Sequence, residues 1–279
     1  MKQKIKLIAL DLDQTTLRTD KTLSPATKSA LKKAIAAGIQ VVPASGRPLS
    51  TLPKAILEIE GIQYAITSNG AAICDVKEKK RCGEVLVKPE LVERILQCVP
   101  EELMLETFIE GIAYTQQEHV DDPAAYGAVG NRIEYVKTTR RPVKDIRQFI
   151  LENKNRLDAV DVVIADAQVK AWLWKKIEQE IPELYVTSSM PQLLETSCNF
   201  GGKRSGLEWL SDHLGILPEE MAAFGDAEND SDMIAYVGLG VAMGNAVPEL
   251  KAVADRVTLT NDEDGVAVVI EELLAKEKI

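Results

Sequence analysis

Asp11-Leu12-Asp13-Gln14-Thr15 sets two carboxylates two residues apart, directly after the apolar run Ile5 to Leu10. Side chains of an extended segment alternate with a period of two, so Asp11 and Asp13 fall on the same side. Carboxylates that close repel each other unless a cation lies between them. The arrangement calls for Mg²⁺, a hard ion that favours oxygen ligands. A lone D-x-D is more often a helix cap or a solvated turn. Here a second acidic group, Gly225-Asp226-Ala227-Glu228-Asn229-Asp230, follows another short apolar run, Met221 to Phe224. Asp226 and Asn229 are also good capping residues. Two acidic strand ends in one sheet are much harder to explain as two unrelated caps.

Ser45 ends a third apolar run, in Ala44-Ser45-Gly46-Arg47. Its hydroxyl and the neighbouring amides could hold a phosphate oxygen, with Gly46 allowing close backbone approach. Taken singly, Ser-Gly is only a turn signal. Lys203 begins a helix, where the macrodipole disfavours a cation, so an anionic partner is suggested. Most lysines are simply solvated, and this one signal is weak by itself. His119, His213, Trp172 and Trp174 are read as packing or surface residues.

The elements that must position these groups alternate. Ile5 to Leu10 reads as a strand buried on both faces. Ser24-Pro25 reads as an N-cap with proline at the first helical position, opening a helix that runs to about Ala37 and stops at Gly38. Ile39 to Ala44 is the next strand, Pro48 opens a helix that Gly61 ends, and Tyr64 to Thr67 is a third strand. The rhythm returns at the other end of the chain. Lys203 to Leu214 is a helix closed by Gly215, Met221 to Phe224 a strand, Asn229 to Tyr236 a helix, Leu239 to Met243 a strand, and Val247 to Ala254 a helix. A short strand around Arg256 and a final helix from Glu263 follow. Such alternation implies a parallel sheet with helices on both faces.

The middle of the chain reads differently. Leu103 to Ile109, Ile112 to Thr115, Ile133 to Val136 and Val160 to Ala165 are strand-like, with helices at Val143 to Glu152 and Asp166 to Glu180. Asp121 to Pro123 and Thr138 to Pro142 read as loops. The expected fold is therefore α/β: a Rossmann-like parallel-sheet core, residues 1–84 and 190–279, interrupted by an inserted α+β cap domain, residues 85–189. The crossings near Gly83-Glu84 and Ser188 to Pro191 could act as a hinge, and specificity is expected to come from the cap.

Composition sets the bounds. The 279 residues are 46% hydrophobic and 27% charged, an ordinary globular profile. The net charge of −10 argues against wholesale nucleic-acid binding. An acidic protein that handles phosphate must neutralise it locally, with a metal or a few placed cations. Four cysteines, at 74, 82, 98 and 198, form no C-x-x-C pair, so neither a zinc site nor a redox dithiol is indicated. The apolar stretch at Ile5 is far too short for a membrane span. The expectation is a cytoplasmic protein, a monomer or homodimer, with no membrane partner.

In order along the chain, Asp11-Leu12-Asp13-Gln14-Thr15, Ser45, Lys203 and Gly225-Asp226 with Asn229-Asp230 resemble the four motifs of the haloacid dehalogenase superfamily. Ser68-Asn69-Gly70-Ala71 and Gly240-Val241-Ala242-Met243-Gly244-Asn245-Ala246 look like its Cof-type phosphatase branch, whose cap is inserted between the second and third motifs. Gln14 stands where the family usually has glycine, Ser45 where threonine is commoner, and Arg204 where glycine is usual. The resemblance implies Asp11 as nucleophile and Asp13 as the acid that protonates the leaving oxygen and then activates water. It implies Mg²⁺ held by Asp11, the backbone carbonyl of Asp13 and Asp226. Ser45, Gly46, Lys203 and Asn229 would bind the phosphoryl group, with Asp230, Asn69 and Arg47 in support. The implied substrate is a small phosphorylated metabolite, a sugar phosphate or a relative of one. A phosphomutase would use the same two aspartates. A phospho-accepting signalling module would need neither the cap nor Asp13, and a non-catalytic phosphate-binding protein would release no phosphate from a test ester.

Overall fold

The computed structural model describes residues 4–198 and 202–276. These fall into two compact units, the first drawn from Met1–Glu84 and Gly202–Ile279, the second from Val85–Gly201.

The chain opens with β1 (Leu7–Leu10), all four residues buried, as expected of a strand covered on both faces. The helix Pro25–Ala36 follows, with Ser24 Oγ accepting the Thr27 amide at 3.0 Å. Gly38 then takes φ +84°, and β2 (Gln40–Pro43) returns to pair parallel with β1. The long helix expected from Pro48 to Gly61 does not form. A short turn at Leu49–Thr51 and a single helical turn at Lys54–Leu57 replace it. Pro53 lacks an amide hydrogen and its ring clashes with the preceding turn, so the two cannot join.

Next come β3 (Tyr64–Thr67), β4 (Ala72–Asp75) and β5 (Lys80–Glu84), an antiparallel three-stranded sheet. Its link to β2 is one parallel bridge, Ala44 to Ile66. Gln40 and Ala44 donate to Lys6 and Leu10 on the β1 side, and Ser45 donates to Ile66 on the other. Pro43, the alternate position on that other side, has no N–H to give, which reduces the ladder to a bridge.

The second unit holds β6 (Met104–Ile109), β7 (Ile112–Gln116), β8 (Arg140–Val143), β9 (Ala159–Val163), β10 (Leu184–Thr187) and β11 (Leu193–Cys198) in one sheet of order β10-β11-β9-β6-β7-β8. Every pairing is antiparallel except β7 with β8. Leu105, Val160, Val162 and Leu194 form its core with Leu91 and Ile95, Ile146 and Ile150, and Leu173 and Ile177 from three helices. Three expectations are corrected here. Ile133 to Val136 lies in the helix Asn131–Thr139, in which Val136 is the buried residue; four residues of mixed polarity do not distinguish the two periods. Arg140–Val143 is a strand rather than a loop, its first residue held by two hydrogen bonds from Arg140 to the buried Glu106 carboxylate, at 2.8 and 3.0 Å. The return to the first unit falls beyond residue 198 rather than at 190, because β11 pairs with β9 and β10.

After that return come the helix Lys203–Leu214, β12 (Met221–Gly225), β13 (Leu239–Ala242), β14 (Arg256–Val257) and the helix Gly265–Lys276. The main sheet is parallel with order β14-β13-β12-β1-β2. Leu10 is in register with Phe224 on one side and Pro43 on the other. Among the described residues no helix is long and apolar enough to cross a membrane. Phe224, fully buried in the strand that carries the second acidic group, is expected to cost about 3–5 kcal/mol when replaced by Ala. A urea titration measures this, and a loss below about 1 kcal/mol would mean the sheet closes over the missing ring.

Candidate active site

Because Leu10, Phe224 and Pro43 are in register, the residues that follow them leave the sheet at one edge. The last ladder step is the Asp11 amide donating to Phe224 O at 3.0 Å. The chain then bends through a wide turn closed by the Leu17 amide on Leu12 O at 2.8 Å. The turn needs Gln14 at φ 64°, ψ 7°, a left-handed conformation that glycine adopts freely and other residues at a cost. Here bonds to the side chain and backbone of Gln14 hold it: Asn245 Nδ2 donates to Gln14 O at 2.8 Å, and Asn261 Nδ2 to Gln14 Oε1 at 3.3 Å. The Gly240 to Ala246 stretch thus buttresses the loop that carries the aspartates. The turn also delivers two hydroxyls: Thr16 Oγ1 donates to Asp11 O at 2.6 Å and Thr15 Oγ1 to Asp226 Oδ1 at 2.7 Å. Sequence reading assigned neither threonine, although alternation already put Thr15 on the side of Asp11 and Asp13.

Gly225 lets the second acidic group fold back, since a Cβ there would meet Asp230 side-chain atoms at 2.4 to 2.6 Å. Asp230 Oδ2 then accepts the amides of Asp226 and Ala227 at 2.9 and 3.1 Å. Lys203, fully buried at the start of its helix, donates to Asp11 Oδ1 and to Asp230 Oδ1, both at 2.6 Å. Burial alone would lower its pKa, but the two carboxylates raise it above the usual lysine value, so it is an ammonium. The unfavourable helix start is thereby explained: both anions lie within reach of its side chain.

Asp11, Asp226 and Asp230 bring a carboxylate oxygen each to within 4.8 Å of one another. Burial, then Asp230 and Asp226, push the Asp11 pKa well up, with Lys203 pulling the other way. Burial and Asp230 raise that of Asp226 to about 6. With all three ionised, the carboxylates exceed the one ammonium by two charges, in a cluster where Asp11 and Asp230 are buried and Asp226 half-buried. Carboxylate oxygens and a surplus of that size fit a hard divalent cation such as Mg²⁺. Asp230 is committed to Lys203 and two amides, so Asp11 and Asp226 are the carboxylates with capacity left for an ion.

The Asp13 carboxylate lies outside this triad. Arg47 grips it with two hydrogen bonds, Nε to Oδ2 at 2.7 Å and Nη2 to Oδ1 at 2.8 Å, and Lys21 Nζ adds a third to Oδ1 at 2.9 Å. Burial would raise its pKa, yet these bonds and charges bring it below the ordinary value. Sequence reading missed Lys21; nothing in the spacing links it to Asp13.

Ser45 is buried, and its Oγ accepts the Arg47 amide at 3.2 Å. Its carbonyl accepts the Asn69 amide at 3.1 Å. Asn69, left-handed at φ 49°, ψ 40°, accepts from Asn229 Nδ2 at 3.1 Å. Its side chain sits 3.1 to 3.4 Å from where a Cβ on Gly46 would be. Ser45, Gly46, Arg47, Asn69 and Asn229 therefore form one network, tied by Arg47 to Asp13. Asp11, Lys203, Asp226 and Asp230 form the other.

Comparison with known proteins identifies the family. A family model described as haloacid dehalogenase-like hydrolase matches residues 8–270. Phosphatase YwpJ of Bacillus subtilis (strain 168) is 32% identical over 288 residues, covering 97% of this chain and 100% of that protein. From the same organism, 5-amino-6-(5-phospho-D-ribitylamino)uracil phosphatase YitU is 28% identical over 277 residues, with 98% of each chain covered. A solved haloacid dehalogenase-like hydrolase from B. subtilis superposes with a TM-score of 0.80 at 30% identity, over 96% of this chain and 100% of its own. A match that runs nearly end to end, on a sheet whose strand ends gather the two acidic groups and the lysine, leaves one conclusion: the chain belongs to the haloacid dehalogenase-like hydrolases.

Proposed function

We propose that the protein is a Mg²⁺-dependent phosphatase that hydrolyses small phosphate monoesters, sugar phosphates or related metabolites, through an aspartyl-phosphate on Asp11. The observation that carries this reading is the buried Asp11–Lys203–Asp230 relay beside Asp226, a carboxylate cluster two charges short of neutrality. Phosphatase relatives along the whole chain support it, among them one named for a ribityl phosphate.

In this reading an Asp11 carboxylate oxygen attacks phosphorus, and the bond from phosphorus to the ester oxygen breaks. Asp13, ionised in the free site beside Arg47 and Lys21, takes up a proton from solvent as the negative phosphoryl group enters and gives that proton to the ester oxygen. The resulting carboxylate then takes a proton from the water that attacks the aspartyl-phosphate, releasing inorganic phosphate and restoring Asp11. Lys203, Ser45, the Gly46 amide and Asn229 bind the phosphoryl oxygens, with Asp230, Asn69 and Arg47 holding them in place. Asp11, the Asp13 carbonyl and Asp226 would hold Mg²⁺, whose charge would offset that of the phosphoryl group. Positioning and charge neutralisation supply most of the catalysis in phosphoryl transfer. The inserted unit carries none of these residues, and we propose it as the source of specificity. Cys74, Cys82, Cys98 and Cys198 form no disulfide, in keeping with a reducing, cytoplasmic setting.

Phosphate release from p-nitrophenyl phosphate and from a metabolite panel, with Mg²⁺ and with excess chelator, tests the reading. Full activity in chelator, or none under any condition, would refute it. The Mg²⁺ requirement should depend on pH. The Asp226 carboxyl, at about 6, must lose its proton to bind a cation. The half-saturating Mg²⁺ concentration is therefore expected to be flat above neutrality and to rise by up to about tenfold per pH unit below pH ~6. Asp226→Ala should raise it at every pH and make that slope shallower, since the Asp11 carboxyl must still lose its proton. A requirement that stays constant from pH 5 to 8 in the wild type would remove Asp226 from the ligand set.

A further inference from the structure

Lys21 occupies the tip of a tight hairpin. The Arg18 amide donates to Thr22 O at 2.9 Å, and the Lys21 amide to Arg18 O at 2.8 Å. Asp20 Oδ1 locks the turn by accepting the Thr22 amide and hydroxyl at 2.9 and 2.6 Å. The base is anchored as well, since Thr19 bonds Asp262 through its amide at 3.0 Å and its hydroxyl at 2.8 Å. At the tip Lys21 takes φ 70°, the left-handed backbone that such short turns use, as Lys79 does between β4 and β5 and Glu110 between β6 and β7. In that conformation its ammonium reaches Asp13 Oδ1 at 2.9 Å.

The ion pair itself adds little to stability, since the Lys21 side chain is 54% exposed and that of Asp13 33%. Arg47 alone already neutralises Asp13. What Lys21 adds is a further constraint on Oδ1, the oxygen shared with Arg47 Nη2, from a segment remote from Arg47 in sequence.

We propose that Lys21 is a positioning residue for Asp13, holding its carboxyl at the angle from which it serves the ester oxygen. The proposal rests on Asp13 acting as the acid in the reaction described above. As the bond from phosphorus to the ester oxygen breaks, the proton passes from Asp13 to that oxygen. Lys21 exchanges no proton and touches no phosphoryl oxygen. Its loss should therefore be felt in proportion to how much the leaving group needs a proton, and in kcat rather than KM.

A series of ring-substituted phenyl phosphates tests this, running from p-nitrophenyl to unsubstituted phenyl, whose phenol has a tyrosine-like pKa of about 10. In Lys21→Met the loss in kcat is expected to be about tenfold greater for phenyl than for p-nitrophenyl phosphate, against the 10²- to 10⁴-fold typical of losing a general acid outright. KM should stay within about twofold, and Lys21→Arg, which restores the cation, should recover most of the loss. Equal losses along the series, a change confined to KM, or no loss at all would overturn the proposal. Thermal unfolding of each variant shows that the fold is retained, as the exposure of Lys21 leads one to expect. Asp13→Asn in the same series separates the two levels of inference. If it discriminates between leaving groups and Lys21→Met does not, only the role of Lys21 fails; if it does not discriminate, the acid assignment fails.

Discussion

Asp11→Asn is expected to lower turnover by about 10⁴-fold or more, the scale seen when an enzyme loses its nucleophile, while raising rather than lowering the midpoint of thermal unfolding in chelator. The loss follows from chemistry: an amide is not an anionic nucleophile and forms no aspartyl-phosphate. The gain in stability follows from the surroundings. Asp11 is buried beside Asp226 and Asp230, and its pKa in the folded protein lies well above the usual carboxylate value. A carboxyl whose folded pKa exceeds its unfolded one, about 3.9, costs stability as pH rises through that interval. Asparagine has no such ionisation. The variant should therefore match the wild type near pH 4 and exceed it at pH 7 to 8. Lys203 keeps Asp230 as a partner in either case. Added Mg²⁺ should reverse the order, by stabilising the wild type more than the variant. Near-normal turnover would dismiss Asp11 as nucleophile; a lower midpoint at pH 8 in chelator would mean that the Lys203 contact outweighs the carboxylate repulsion.

Lys203→Met should be the most destabilising of the substitutions at the cluster. Methionine fills much of the same volume but leaves the buried Asp11 and Asp230, and the half-buried Asp226, without their ammonium. Removing one partner of a buried ion pair typically costs about 3–5 kcal/mol, because the charge left behind is uncompensated. The pH dependence identifies the cause. In the wild type burial and repulsion already raise Asp11 and Asp226. Without Lys203 both should rise further, so the penalty should be largest above pH ~7 and should shrink as the carboxyls protonate. Turnover should fall about 10²- to 10³-fold, the range for losing one preorganised group that meets developing charge. Denaturant midpoints between pH 5 and 8, with and without Mg²⁺, provide the measurement. A loss independent of pH would make Lys203 a packing residue rather than the counter-ion of the cluster.

The candidate site was legible in the sequence because its residues sit where simple periodicities end. Asp11, Ser45 and Asp226 each follow an apolar run short enough to be a buried strand, and such strands in a parallel sheet terminate at one edge. The alternation of strand and helix announced that sheet, and the Ser24 cap and Gly38 stop marked its first helix to within a residue. Lys203 stood out as a cation at the wrong end of a helix. What the sequence left open depended on distant partners. Mixed four-residue stretches such as Ile133 to Val136 carry too little period to choose a state, and packing made that one a helix. β11 looks like part of the return to the core until its pairing with β9 and β10 is seen. Gln14 reads as a departure from glycine until Asn245 and Asn261 are found holding it in the left-handed conformation. The grip of Arg47 and Lys21 on Asp13 needed the fold as well, since residues 13, 21 and 47 meet only through a hairpin tip and a strand end. Local propensity and period set the strands of the parallel sheet, the first helix and the acidic edge; long-range pairing, which no short window contains, decided which carboxylate is buried with Lys203 and which is clamped by Arg47.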